Sequence, residues 1–216
     1  MNYFTYKKRT KKFKDMSYEM TCFYIKNKPK VYIGLNPDWY NQGFIELLSI
    51  KKFTYWPDKN SIQNLLPIPF RYRYSDVQSI IDCLEIEIPK PSNPIEQSLT
   101  WSDYKKCNTL KYLISSTPDG FINFISEGYG GRSSDVLLVK KSGYLECLPE
   151  NCTVMADRGL KKEVLETKRI ASLRIHIERV IGRLREFKTL KPHVLMHLSL
   201  VSNVDDIITI ACALIN

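Results

Sequence analysis

No zinc pattern, secretory leader or membrane span is expected from the residues of this 216-residue sequence, and each expected absence argues against a class of function. The cysteines (Cys22, Cys83, Cys107, Cys147, Cys152, Cys212) are scattered, with no CxxC pair and no nearby pair of histidines. That spacing argues against zinc and for a reducing compartment. His193 and His197 lack ligand partners, whereas structural zinc wants four closely arranged N or S ligands. The opening "MNYFTYKKRTKKFKD" has no apolar core of the kind a secretory signal needs. The most apolar stretch, "LSLVSNVDDIITIACALIN", is split by Asp205 and Asp206 and falls short of a membrane span. A soluble, intracellular protein is expected. Acidic charge is also in deficit: 23 Asp and Glu stand against 32 Lys and Arg, for a net charge of +9. The excess points to a polyanionic partner, nucleic acid ahead of acidic membranes. A solvated Lys-rich face is the plain alternative.

What is present fits one globular domain with an N-terminal arm, since 44% of the residues are hydrophobic. Residues 1–55 read as the arm, basic and aromatic. Lys7, Lys8, Arg9, Lys11, Lys12 and Lys14 form a cluster suited to nuclear import or DNA contact, or simply to solvation. From residue 56 onward the patterns sharpen. "SIIDCLEIEI" alternates as a strand, with Asp82 on the face of Leu84, Ile86 and Ile88 and with Cys83, Glu85 and Glu87 on the other. "NTLKYLISST" and "FINFISEGYGG", joined by Pro-Asp-Gly, read as an antiparallel hairpin, so Asp82 heads a three-strand meander. A helix is expected from Ser134, an N-cap residue, through "SSDVLLVKKSGYLECL". "CTVMADRG" reads as a buried strand that delivers Asp157 past its end, where α/β sheets place ligands.

The stretch "RIASLRIHIERVIGRLREF" then sets one carboxylate, Glu178, among arginines. On a helix from about Thr167, Ile170, Leu173, Ile177, Val180, Ile181, Leu184 and Phe187 form one apolar face. Ala171, Arg174, Glu178, Gly182 and Arg185 form a narrow stripe beside it, with open space over the glutamate. The bland account of Glu178 is an ion pair with Arg174 one turn away on a solvated face, worth a few tenths of a kcal/mol. The ensemble argues for more. An acid on the first strand, an acid after a later strand and an acid on a following helix is the layout of a ribonuclease-H-like α/β domain for nucleotidyl transfer. Three such carboxylates can hold two Mg²⁺ ions roughly 4 Å apart, and neighbouring arginines suit phosphate.

The segments from "IIDCLEIEIP" to "GGRSSD", then "SGYLECL", "VMADRG" and "TKRIASLRIHIERVIGRLREFK" resemble the endonuclease domain of Harbinger-type (PIF/Harbinger, DDE superfamily 4) transposases. The resemblance spans roughly Trp56 to Asn216. It implies Asp82, Asp157 and Glu178 as the catalytic carboxylates holding Mg²⁺ or Mn²⁺, and Asp135 as a recurrent aspartate that supports the site or caps its helix. It places His176 in the family's helix motif. It further implies DNA as substrate, a separate DNA-binding partner protein, and the nucleus, or also the cytoplasm, as the compartment. Arg174 and Arg185 are the leading candidates to hold phosphate, with Lys168, Arg169, Arg179 and Arg183 behind them, a solvated helix face being the plain alternative for those four.

The chain also departs from that family. Leu84 stands where Thr is usual, and only "NPDWYNQGFIELLSIKKF" corresponds to an upstream helix-turn-helix. After Leu160 the sequence runs directly into "KKEVLE", as if a segment were deleted. If the helix starts at Lys162, Glu178 lies roughly 24 Å along it and beyond the reach of a short connector. If it starts near Thr167, the rise is roughly 17 Å and a longer connector closes the triangle. Two function classes follow: a metal-dependent DNA endonuclease, or a degenerate or domesticated copy that binds DNA or protein without chemistry.

Overall fold

The computed structural model of the chain describes residues 2–5, 54–156, 173–194, 196 and 198–216. Most of the arm, and Asp157, "KKEVLE", Lys168, Arg169 and His197, lie outside the described residues.

A mixed sheet is built around strand β2 (Val77–Glu87). In its first five residues, Val77 to Ile81, every side chain is buried, as expected of a strand covered on both faces. From Asp82 onward cover thins and the period-2 alternation emerges: Leu84 and Ile86 are buried, while Cys83, Glu85 and Glu87 are partly exposed. Because the strand begins at Val77, Asp82 lies in its middle. β4 (Cys107–Ser116) runs antiparallel to β2, with Asp82 opposite Ile114 and Glu85 opposite Lys111. β5 (Ile122–Ile125) folds back on β4. The Pro-Asp-Gly turn closes that hairpin, with Thr117 N–H donating to Phe121 O at 2.8 Å and Gly120 at φ +101°. Glycine suits that left-handed conformation because it has no Cβ to clash. The expected meander of β2, β4 and β5 is therefore present. Two short strands, β3 (Trp101–Ser102) and β6 (Tyr129–Gly130), also pair with β4.

Two helices lead from the meander to the next strand, α1 (Asp135–Lys141) and α2 (Tyr144–Cys147). Ser134 caps α1 by accepting Leu137 N–H at 3.3 Å. The single helix expected over this stretch is broken at Gly143, which takes φ +77°. β7 (Thr153–Ala156) then enters parallel to β2, with Ala156 in register with Ile81. A parallel neighbour requires a crossover, and this one covers one sheet face. Leu138, Tyr144 and Leu148 pack there on Ile81, Leu113 and Val154. Beneath them Ser79 Oγ lies 2.6 Å from both Tyr144 Oη and Ser115 Oγ, so these buried hydroxyls satisfy one another. Within the arm, Asn2–Thr5 forms β1 and pairs antiparallel with β7, giving a sheet order of β1-β7-β2-β4-β3.

The opposite face is covered by α3 (Ile175–Leu184) and α4 (Val204–Ile215). Ile177, Val180, Ile181 and Leu184 are buried with Ile80, Leu84 and Ile114 of the sheet, so the apolar face expected of this helix is the one that packs. Asp205 and Asp206 occupy the first turn of α4, where the positive helix end favours carboxylates. Asp205 also accepts Tyr112 Oη–H at 2.6 Å. Among the described residues no helix is long and apolar enough to cross a membrane. Helices on both faces of a mixed sheet make this an α/β fold, consistent with the ribonuclease-H-like class.

Candidate active site

Asp82 emerges where β2 loses its cover, and its side chain retains 17% exposure. Its Oδ1 accepts the Cys83 N–H at 2.8 Å, which orients the carboxylate. Its Oδ2 lies 3.7 Å from Arg174 Nη2. Burial of the apolar stripe of α3 rotates Arg174 and Glu178 onto the helix flank beside β2. Arg174 Nε lies 3.3 Å from Glu178 Oε1. One guanidinium therefore stands between a strand carboxylate and a helix carboxylate. The local pair anticipated from the sequence exists, and it has a second partner from across the fold.

Glu178 is exposed and lies in the first turn of α3. A Cβ built on Gly182 would meet nothing within 4 Å, so the space one turn beyond the glutamate is open. Ala156, the last described residue of β7, is opposite Ile81, the neighbour of Asp82. Asp157, next in the chain, lies outside the described residues. Leu173, on the far side of the undescribed interval, is buried in the same core as Ile80 and Leu84. Both ends of that interval therefore return to the sheet.

Oxygen donors that already face a positive group suit a hard divalent cation. Among the described residues, no group of three or more His, Cys, Asp and Glu could hold a metal ion. Asp82 and Glu178 offer two ligands there, not a complete centre.

The remaining candidates are dispersed. Asp135 is the first residue of α1, and its Oδ1 lies 3.2 Å from Lys111 Nζ. Lys111 also lies 3.2 Å from Glu85. Because Glu85 and Asp82 alternate across the strand, Asp135 sits on the opposite sheet face from Asp82 and Glu178. Its placement is that of a first-turn carboxylate on its helix, not of a neighbour to the other two. Arg183 donates to Ile215 O at 3.0 Å and Gly120 O at 2.9 Å, fastening α3 to the end of α4 and to the hairpin turn. Arg185 is half-exposed and Arg179 exposed. His176 packs edge-on against Phe70, with ring centroids 5.1 Å apart. Burial holds its pKa below the usual 6.5, and nearby Arg179 acts in the same direction. His193 Nδ1 lies 3.2 Å from Glu87 Oε1, and Cys107 is also near that carboxylate.

Sequence reasoning missed the Glu85–Lys111–Asp135 cluster, in which Ser102 and Thr109 also donate to Glu85 at 2.7 and 3.2 Å. A lysine in the middle of an apolar strand was the signal. The cluster raises the Lys111 pKa: the nearby Asp135 and Glu85 carboxylates outweigh a burial penalty that alone would lower it.

A family model described as DDE superfamily endonuclease matches residues 81–162 and 160–216. The matched segments begin one residue before Asp82, cover more than half of the chain, and meet at 160–162. No curated protein and no solved structure matches.

Proposed function

Because this chain belongs to the DDE superfamily endonucleases, we propose that it is a transposase-derived domain of the Harbinger type, with Asp82, Asp157 and Glu178 holding Mg²⁺ or Mn²⁺ to cleave DNA. One observation carries the reading. Asp82 of β2 and Glu178 of α3 face one guanidinium, while the strand that leads towards Asp157 runs parallel beside β2. When bound, a divalent ion would supply Lewis acidity and a more acidic water.

The chain's own groups would do the rest. Asp82 is already oriented by the Cys83 N–H on Oδ1, which leaves Oδ2 as the oxygen turned towards Arg174 and the helix. Exposed Glu178 would close the set from the helix side. Arg174 and Arg185 would hold the phosphates flanking the scissile bond, with Lys168, Arg169 and Arg179 on the approach. Arg183, engaged with two main-chain carbonyls, would serve the fold first. The net charge of +9 supports DNA as the partner and fits a nuclear protein working beside a separate DNA-binding protein.

The test is nicking of supercoiled DNA by the purified full chain in Mg²⁺ or Mn²⁺, lost in Asp82→Asn and Asp157→Asn. No nicking by wild-type protein that binds the same DNA would overturn the enzyme reading. It would favour the second one, a catalytically silent or domesticated copy acting as a DNA-binding or protein-interaction module. Two observations support that alternative. A guanidinium lies between the two carboxylates, and the family match is divided where the chain runs from "ADRGL" into "KKEVLE".

A further inference from the structure

We propose that Arg174 is an internal counter-cation of the carboxylate site, a positioning residue that neutralises Asp82 and Glu178 in the metal-free protein and must move aside before a divalent ion binds. The inference rests on the carboxylate reading above. Carboxylates gathered at one site repel each other and favour protonation unless a positive charge is supplied. Here that charge comes from the chain itself, through Nη2 towards Asp82 and Nε towards Glu178.

The contacts have the character of an exchangeable partner. At 3.7 Å the approach to Asp82 is an ion pair without hydrogen-bond length. These two contacts use different nitrogens on different carboxylates, so one guanidinium is shared between the strand and the helix acid. Arg174 Nε is shielded from solvent, yet the side chain keeps 32% exposure and has a route outwards. Glu178 is the more exposed partner. A divalent ion binding to the same oxygens would meet the repulsion of the guanidinium, so its affinity is set partly by the cost of displacing Arg174. Once displaced, the guanidinium is free to face the phosphate that arrives with the metal, which would couple metal and DNA binding through one side chain.

The test is Mn²⁺ binding to the full chain without DNA, by titration calorimetry and by the loss of free-Mn²⁺ EPR signal, for wild type, Arg174→Gln, Arg174→Met and Arg174→Lys. Arg174→Met keeps an apolar stem over the core if Gln disturbs packing, and circular dichroism checks the fold of each. Removing the charge is expected to tighten Mn²⁺ binding about tenfold, the factor made by 1.4 kcal/mol. Arg174→Lys should stay near wild type, and adding Asp82→Asn to Arg174→Gln should remove the gain. Equal or weaker Mn²⁺ affinity in the folded Gln and Met variants would overturn the counter-cation role while leaving the metal site standing. No Mn²⁺ binding by any folded variant would overturn both.

Discussion

Glu178→Gln separates a chemical role from a structural one, because the structure makes its stability cost small. The glutamate is more than half exposed, and among the described residues its ion-pair partner is Arg174, a turn earlier on the same helix, at 3.3 Å. Exposed pairs of this spacing contribute about 0.3–0.5 kcal/mol. Placement in the first turn of α3 adds a helix-end contribution of about 0.3–1 kcal/mol, also reduced by solvent and salt. Glutamine keeps the size and shape of the side chain, so the helix and its buried face at Ile177 and Ile181 are undisturbed. The expected loss of stability is therefore at most about 1.5 kcal/mol, read as a small change in urea midpoint at constant slope. If Glu178 is a metal ligand, Mg²⁺-dependent nicking should fall on the order of 100-fold or more, against a nearly unchanged unfolding curve. Nicking that survives at the wild-type rate would refute the assignment. A destabilisation of several kcal/mol would refute the structural reasoning, because it would mean that the exposed carboxylate supports packing the geometry does not contain.

Non-specific duplex binding should weaken by orders of magnitude between about 50 and 200 mM salt as counterions are released; fluorescence anisotropy that is flat across this range would contradict a phosphate-directed surface. Arg183→Ala removes the clamp on Ile215 O and Gly120 O and should cost about 1–3 kcal/mol in urea unfolding, whereas Arg179→Ala should leave the midpoint nearly unchanged. The folded-state pKa of His176 lies below its ordinary value of 6.5, so the unfolded chain binds the proton more readily. The contribution of this residue is full above about pH 6.5 and is lost as pH falls through the depressed folded value; His176→Asn should flatten that acid-side loss, and an NMR titration midpoint at or above 6.5 would contradict it. Tyr144→Phe removes the hydroxyl that meets Ser79 beneath α2 and should cost about 1 kcal/mol, since Ser79 keeps Ser115; a neutral change in thermal midpoint would show that the hydroxyl contributes nothing there.

Features governed by short-range rules were legible in the residues alone. Alternation placed Asp82 and Glu85 on opposite faces of one strand, Pro-Asp-Gly marked the hairpin turn, Ser134 announced its helix, and the 3.6-residue period identified Ile177, Val180, Ile181 and Leu184 as a buried face. Each depends on a few neighbours in the chain. Gly143 marks the limit of that reading, because a helix pattern continues through it while its left-handed backbone breaks the helix in two. Composition likewise determined the charge that favours a polyanion.

Tertiary structure decided what faces what. The parallel register of β7 on β2 sets Ala156 against Ile81, and strand pairing between distant segments cannot be read from either alone. Helical spacing foretold that Arg174 would meet Glu178, but only the packing of α3 on the sheet turned the same guanidinium towards Asp82. Packing also carried Asp135 to the other face with Lys111 and committed Arg183 to main-chain carbonyls. The sequence by itself determined which faces would be buried and which residues carry charge, because hydrophobic periodicity and ionisation are local properties. Which charges become partners depended on how buried faces from distant segments dock, and the core at Ile80, Leu84, Ile177 and Ile181 settles that before any ion pair forms.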